Sequence, residues 1–282
     1  MNKSTLGAIV GLSLGLTGHS ANALTILDAW QLHALGSSNT NIGELSLSGG
    51  LASVEQEVDG SGNPFAGARF TEFGEIFSIS FVSENCAGAC DSGFPQNFSP
   101  TSNGPNLGLR FRFEDLAGTI NSFNAGTGEI SFIFDAGVGD VFLEGTDDNG
   151  GSWQELATFD IADPSGGSLS NFLGPTGTNG DTTLTTLALT SINGLFRDSL
   201  GNFLDSFIDN GTLFFLARTN NEISTPAGEV VACSFDAEAD CRTVDVGSNG
   251  SANLAVPEPG SLALLSGGLL LFPYFSSRFK KV

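Results

Sequence analysis

Few residues in this 282-residue chain could support nucleophilic or acid–base catalysis. His33 is the one histidine outside residues 1–23, and no serine motif accompanies it to form a Ser-His-Asp triad. Residues 11–15 (GLSLG) match the nucleophile elbow G-x-S-x-G, but they lie inside the amino-terminal apolar segment. Paired carboxylates of the glycosidase kind stay open, because no spacing selects a pair among 31 acidic residues. We therefore assign no catalytic residue.

The four cysteines form two local pairs, Cys86 with Cys90 and Cys233 with Cys241. Four cysteines allow three connectivities, and the local pairing is the simplest framework in an exported chain. A metal site is the alternative, but C-x₃-C and C-x₇-C are not zinc-ribbon spacings and no histidine lies near. We predict structural disulfides.

One loop combines turn-forming residues with an aromatic end. Residues 146–153 (TDDNGGSW) resemble an Asp-box, S/T-x-D-x-G-x-x-W, in which aspartate binds turn amides, glycine takes a positive φ and tryptophan packs beneath a hairpin. The matching residues are Thr146, Asp148, Gly150 and Trp153. The resemblance implies a structural role without catalysis.

The same loop could offer oxygen ligands to a calcium ion through Asp147, Asp148 and Asn149. It lacks the alternating aspartates and the distal glutamate of an EF-hand loop. Residues 59–63 and 245–249 are equally generic candidates. Ca²⁺ is therefore the one cofactor kept open, with no assigned ligand set.

Alternating apolar and polar residues predict the elements that would position these groups. The clearest strand is 107–113 (LGLRFRF), with Leu109, Phe111 and Phe113 on one face and the two arginines on the other. Residues 130–135 are apolar enough to predict burial on both faces. Other predicted strands are 42–48, 77–82, 140–145, 153–161, 183–190, 212–218 and 228–235. Many short strands joined by glycine-rich turns favour an antiparallel β-sandwich or jelly roll.

Two segments break the strand pattern. Residues 195–208 place Phe196, Leu200, Phe203 and Phe207 at helical spacing, which predicts one amphipathic helix covering the sandwich. Residues 163–181 are rich in glycine, serine and asparagine and predict a long exposed loop.

The amino end has the three parts of an export signal. Lys3 supplies the charge, residues 6–16 the apolar stretch, and Ala21 and Ala23 an A-x-A cleavage site. We predict a signal peptide at 1–23 and one domain at 24–255. The apolar run is too short for a permanent membrane span.

Charge excludes one large function class. Between the two ends the chain carries six arginines, no lysine and 30 acidic residues, a net charge of about −24. Such a surface repels nucleic acid and anionic lipid, and it attracts divalent cations or basic partners. We therefore predict no binding to nucleic acid.

The carboxyl end, residues 256–282, combines three features. Val256-Pro257-Glu258-Pro259 cannot be helical, because two prolines lack amide donors, and Gly260-Ser261 follow. Residues 262–275 carry no charge but fall short of the ~20 residues that a stable span needs. Arg278, Lys280 and Lys281 then form a positive cluster that would stay on the cytoplasmic side.

This combination resembles the PEP-CTERM sorting signal of Gram-negative bacteria, which a membrane transpeptidase called exosortase processes. The resemblance covers roughly the last 27 residues. A plain membrane anchor is the alternative. The resemblance implies export across the inner membrane, a transient tether through an apolar transmembrane helix, exosortase as a partner, and a final place at the cell surface or in the extracellular matrix. The Phe-rich strands and Thr219-Asn220-Asn221 are also similar to flocculation-associated PEP-CTERM proteins.

These observations favour a non-enzymatic surface protein that contributes to exopolysaccharide-associated cell aggregation, in a floc or biofilm. Its acidic surface would meet anionic polymer through divalent cations, and its aromatic residues would meet sugars. A carbohydrate-binding module or carbohydrate-active enzyme is the first alternative, and a passive structural surface subunit is the second.

Overall fold

Strands make up most of the computed structural model, which describes residues 24–35, 37–83, 96–97, 108–146, 152–170, 179–224 and 228–257. The elements within these ranges are β1 (Leu24–Ile26), β2 (Trp30–Ala34), β3 (Ser37–Val58), β4 (Arg69–Ser83), β5 (Gln96–Asn97), β6 (Gly108–Asn124), β7 (Glu129–Phe134), β8 (Asp140–Thr146), β9 (Gln154–Leu169), β10 (Asn179–Ser191), β11 (Phe196–Asp198), α1 (Asp205–Asp209), β12 (Phe214–Ile223), β13 (Val231–Ala232) and β14 (Asp240–Pro257). Ile26–Val256 form one compact unit. The predicted all-β, antiparallel class is confirmed.

Eight strands close into an antiparallel barrel. The ring order is β3-β4-β6-β7-β9-β10-β12-β14, and β14 returns to pair with β3. At one end β8 takes the place of β7, because it pairs with the first halves of β6 and β9. The predicted sandwich or jelly roll is not confirmed. Ring closure pairs both edges of each strand, which protects the sheet from edge-to-edge association.

The alternating pattern in β6 separates the inside of the barrel from its outer surface. Leu109 and Phe111 are buried inward, whereas Arg110 and Arg112 point outward, as predicted. The prediction that residues 130–135 are buried on both faces is wrong, since Ile133 is 50 % exposed. Only the inward face of β7 packs into the core, through Ile130, Phe132 and Phe134.

A cluster of five aromatic side chains fills one part of the core. Trp30, Phe111, Phe159, Phe196 and Phe215 come from five different strands and are all buried. The Phe215 ring centroid lies 5.2 Å from that of Phe159 and 5.9 Å from that of Trp30, both edge to face. Edge-to-face pairs add to the burial free energy of the rings.

The predicted helix at 195–208 is wrong over most of its length. Phe196–Asp198 form β11, which pairs with β2, and the helix is limited to Asp205–Asp209. One carboxylate oxygen of Asp198 accepts hydrogen bonds from the amides of Leu200 and Asn202, and Gly201 takes a φ of 86°. This Asx turn satisfies the amides that a helix would use, so the helix cannot begin earlier.

The predicted long loop at 163–181 is corrected at both ends, and its residues 171–178 lie outside the described residues. β9 continues to Leu169 and β10 begins at Asn179. Ser165 is buried, and its hydroxyl donates to Ala162 O and accepts from the Thr185 amide. A polar, glycine-rich composition predicts a loop, because the local pattern does not reveal these partners across the sheet.

The predicted strand at 228–235 shrinks to Val231–Ala232, which pairs with the start of β14. The Cys233–Cys241 disulfide joins the same two segments and confirms that predicted pair. No helix among the described residues is long and apolar enough to cross a membrane.

Candidate functional site

Several predicted site residues lie outside the described residues. They are Ala21 and Ala23 of the cleavage site, Cys86 and Cys90, the loop residues Asp147, Asp148, Asn149 and Gly150, the sorting residues Glu258, Pro259, Gly260 and Ser261, and the basic residues Arg278, Lys280 and Lys281. Val256 and Pro257 are described, and they end β14. Thr146 ends β8 and Trp153 immediately precedes β9, so the two lie at the ends of the β8–β9 connection.

The side chain of His33 makes a local hydrogen bond. Its Nε2 lies 2.9 Å from Gln31 Oε1, within hydrogen-bond distance. Burial, assisted by the charge of Arg197, lowers the pKa of His33. The ring is therefore neutral at neutral pH, and its described hydrogen-bond partner lies on the same strand, β2.

Among the described residues no group of three or more histidine, cysteine or acidic side chains is placed to hold a metal ion. The generic candidate at 59–63 serves a turn, because Asp59 Oδ1 accepts hydrogen bonds from the amides of Ser61 and Asn63. That oxygen therefore already accepts two hydrogen bonds from the turn.

The most distinctive surface is the outward side of β3, β4, β6 and β8. We call it the aromatic–ion face, and its residues are Leu51, Phe73, Glu75, Phe77, Arg110, Arg112, Phe142, Glu144 and Trp153. The strand register aligns Leu51, Glu75, Arg112 and Phe142 in one row across four strands. Arg110 and Glu144 are paired in a neighbouring row.

Two arginines and two glutamates lock the centre of this face. Arg110 donates from Nε to Glu144 Oε2 and from Nη1 to Glu75 Oε2, both at 2.6 Å. Arg112 Nε donates to the other Glu144 oxygen at 3.0 Å. Glu144 is buried, so charge-assisted bonds to both of its oxygens are needed to offset its desolvation.

Each arginine also lies over an aromatic ring. The guanidinium carbon of Arg110 is 4.4 Å from the Trp153 ring centroid, and that of Arg112 is 4.3 Å from Phe142. Burial lowers the pKa of Arg112, but bonds to Glu114 and Glu144 outweigh it and raise the pKa above its ordinary value. Ion pairs and ring contacts together hold both side chains in one conformation.

Beside this rigid centre, large apolar side chains are exposed on the same face. Phe73 is 58 % exposed, Leu51 51 % and Phe77 47 %. They border a groove of about 630 Å³ that also contains Arg112 and Glu114. Clustered exposed apolar side chains rimmed by charges are typical of binding surfaces.

The floor of the groove depends on Gly74. A Cβ atom at this position would lie 2.4 Å from Leu51 O and 2.9 Å from the Phe113 ring, so no side chain fits. Opposite the neighbouring Phe73, β6 contains an extra residue at Asp115, whose φ is 53°. This bulge bends the sheet and opens the groove.

Only part of this face could be predicted from the sequence. The strand pattern of 107–113 marks its two arginines and the Asp-box resemblance marks Trp153, but no pattern marks Phe73, Glu75 or Glu144. The available signal was the pair of outward arginines, because an arginine between buried residues of a strand needs acidic partners on the neighbouring strands.

Comparisons with protein-family models, with curated proteins and with solved structures each find no match for this chain.

Proposed function

We propose that this chain is an exported surface or matrix protein that contributes to exopolysaccharide-associated cell aggregation through its aromatic–ion face. The observation that carries the proposal is the set of exposed rings beside a locked arginine–glutamate network. A partner that covers exposed apolar side chains gains binding free energy because apolar surface leaves water, and fixed polar groups orient the partner.

The signal peptide at 1–23 and the PEP-CTERM-like tail at 256–282 support the location. In this proposal exosortase removes the tail after export, and the domain remains at the cell surface or in the matrix. The apolar part of the tail tethers the chain to the inner membrane only until then.

An extended sugar polymer is the partner that suits this face best. Phe73 and Phe77 lie four residues apart on β4, about 13 Å along an extended strand. One ligand must therefore be longer than a single sugar ring to cover both. The groove between them presents arginine and carboxylate groups to hydroxyls.

Divalent cations are the second element of the proposal. The groove contains Glu75, Glu114, Asp115 and Asp245, and the domain carries about −24 charges, which would repel an anionic polymer. Ca²⁺ bridging removes this repulsion. Aggregation that is unaffected by a chelator such as EDTA would contradict the cation part alone.

A carbohydrate-binding module is the alternative function that the groove also favours. A carbohydrate-binding module requires saturable binding of a defined glycan. Unlike the aggregation role, it requires no effect on cell sedimentation.

Deleting the gene in its host is expected to slow the sedimentation of cells. Complementation with the full-length chain should restore it, whereas a chain ending at Pro257 should not, because the sorting tail is missing. This truncation keeps β14 whole, so its failure cannot be attributed to a broken strand. Normal sedimentation of the deletion strain would contradict the aggregation role.

The double substitution Phe73→Ser with Phe77→Ser is expected to weaken binding to the host's extracted exopolysaccharide by at least about tenfold, as expected for loss of two exposed anchors. Affinity gel electrophoresis with the polymer in the gel measures the change. Phe203→Ser is the matched control, because Phe203 is 57 % exposed but precedes α1, outside this face. Equal loss in both variants would show that general stickiness, and not this face, retains the polymer.

A further inference from the structure

The barrel interior contains two adjoining cavities of about 40 and 80 Å³, whose linings share Glu72, Thr182 and Asn221. Each of the eight ring strands contributes at least one inward residue to the smaller cavity. A void of about 10–15 Å³ already holds a water molecule, and one of about 150 Å³ holds benzene. The two cavities together are smaller than the one that holds benzene, so they have room only for a smaller organic molecule.

Part of the polar lining is satisfied within the protein. Asn221 Nδ2 donates to the Thr182 hydroxyl, and Asn221 Oδ1 accepts from Thr219 at 3.0 Å and Ser248 at 2.9 Å. These side chains rigidify one wall and leave Asn221 with little capacity for a ligand.

Two other polar groups of the lining stand out. Gln56 is 1 % exposed, and its Nε2 has no hydrogen-bond partner. An unpaired buried amide destabilises the fold unless a bound group accepts its hydrogen bond. Glu72 lines both cavities, and desolvation raises the pKa of its carboxyl to about 7.

These two side chains converge on the same wall. The register pairs Gln56 with Phe70 and Val54 with Glu72, so Gln56 and Glu72 are diagonal neighbours on the inward face of β3 and β4. Diagonal Cβ atoms lie about 7–8 Å apart, a gap that one hydrogen-bonded oxygen can bridge between two long side chains.

We infer that the paired cavities bind a small apolar alcohol, whose hydroxyl accepts a hydrogen bond from Gln56 and donates one to Glu72. The apolar body packs against Phe70 and Phe132, which line the smaller cavity. An ammonium group offers no acceptor to the Gln56 amide. A hydroxyl satisfies both groups. This site lies inside the barrel and is independent of the aromatic–ion face.

Isothermal titration calorimetry of the full-length chain tests this with 1-propanol and 1-chloropropane, which share a propyl chain and differ in the hydroxyl. 1-Propanol is expected to bind saturably, and 1-chloropropane at least about tenfold more weakly, because it leaves both polar groups unpaired. In Gln56→Leu the ratio should fall below about threefold. Thr71→Val, at the outward-facing neighbour of Glu72 on β4, is the matched control and should keep the wild-type ratio.

The wild-type ratio decides the inference even if Gln56→Leu fails to fold. No saturable binding of 1-propanol would overturn it and would indicate cavities that hold water alone. Equal affinity for the two compounds would also overturn it, because the polar groups would then play no part in binding. An unchanged ratio in Gln56→Leu would overturn the role of Gln56.

Discussion

Phe215→Ala is expected to lower the free energy of unfolding by about 3–5 kcal/mol, the largest effect of any single substitution argued for this chain. Phe215 is 2 % exposed, and its ring contacts Phe111, Phe159 and Phe196 as well as Trp30. Truncation removes four ring contacts and leaves a cavity that side chains from four other strands line. Because Phe111 and Phe159 belong to strands of the hydrogen-bonded ring, the cavity cannot collapse fully.

Urea denaturation of the full-length protein, followed by fluorescence, measures this change. Phe203→Ala is the control, because Phe203 is 57 % exposed and its ring contact is with Arg197, at 4.4 Å. We expect that variant to lose less than about 1 kcal/mol. Equal losses of unfolding free energy in the two variants would contradict the assignment of the aromatic cluster to the core.

Glu72→Gln is expected to raise the free energy of unfolding by about 3 kcal/mol at pH 8 and by almost nothing at pH 4. Burial raises the pKa of Glu72 from 4.5 to about 7. Between these values the unfolded chain loses the proton while the folded protein keeps it, so the wild type loses stability as pH rises through this window. Glutamine is neutral throughout and avoids the loss.

The residues around Glu72 make the effect easy to assign to this one carboxyl group. Among the described residues that line the two cavities it is the only ionisable one, and the polar ones beside it are neutral. Urea denaturation of wild type and variant at several pH values gives the difference. Glu222→Gln, at an exposed position on β12, is the control and should change by less than about 0.5 kcal/mol over this range. A difference for Glu72→Gln that does not depend on pH would contradict its burial.

Local sequence patterns were sufficient for the parts of the fold that depend on neighbouring residues. Alternation in 107–113 predicted which side chains of β6 point inward, because successive residues of a strand face opposite sides. Proximity in sequence predicted the Cys233–Cys241 pair, since eight residues and a turn suffice to bring the two together. The same patterns failed at 195–208, where helical spacing of apolar residues was outweighed by the Asx turn at Asp198.

The candidate sites depended on tertiary structure. Along β4, Phe73, Glu75 and Phe77 share one side, and Phe70, Glu72 and Ile76 share the other, so both sides carry two apolar residues and one glutamate. Composition cannot decide which of the two sides faces inward. The closed ring places Glu72 inside the barrel and places Phe73 and Phe77 on its outer surface. Closure requires β14 to pair with β3, whose paired residues Cys241 and Glu57 are far apart in the chain.

The sequence alone determined the all-β class and the acidic charge, because these follow from composition and local pattern, and its contiguous motifs predict the export and sorting segments. The tertiary structure alone decided the barrel, the aromatic–ion face and the paired cavities. Each of these is made from single residues on several strands, and a residue's partner across a sheet is set by register between distant segments, which leaves no local signal.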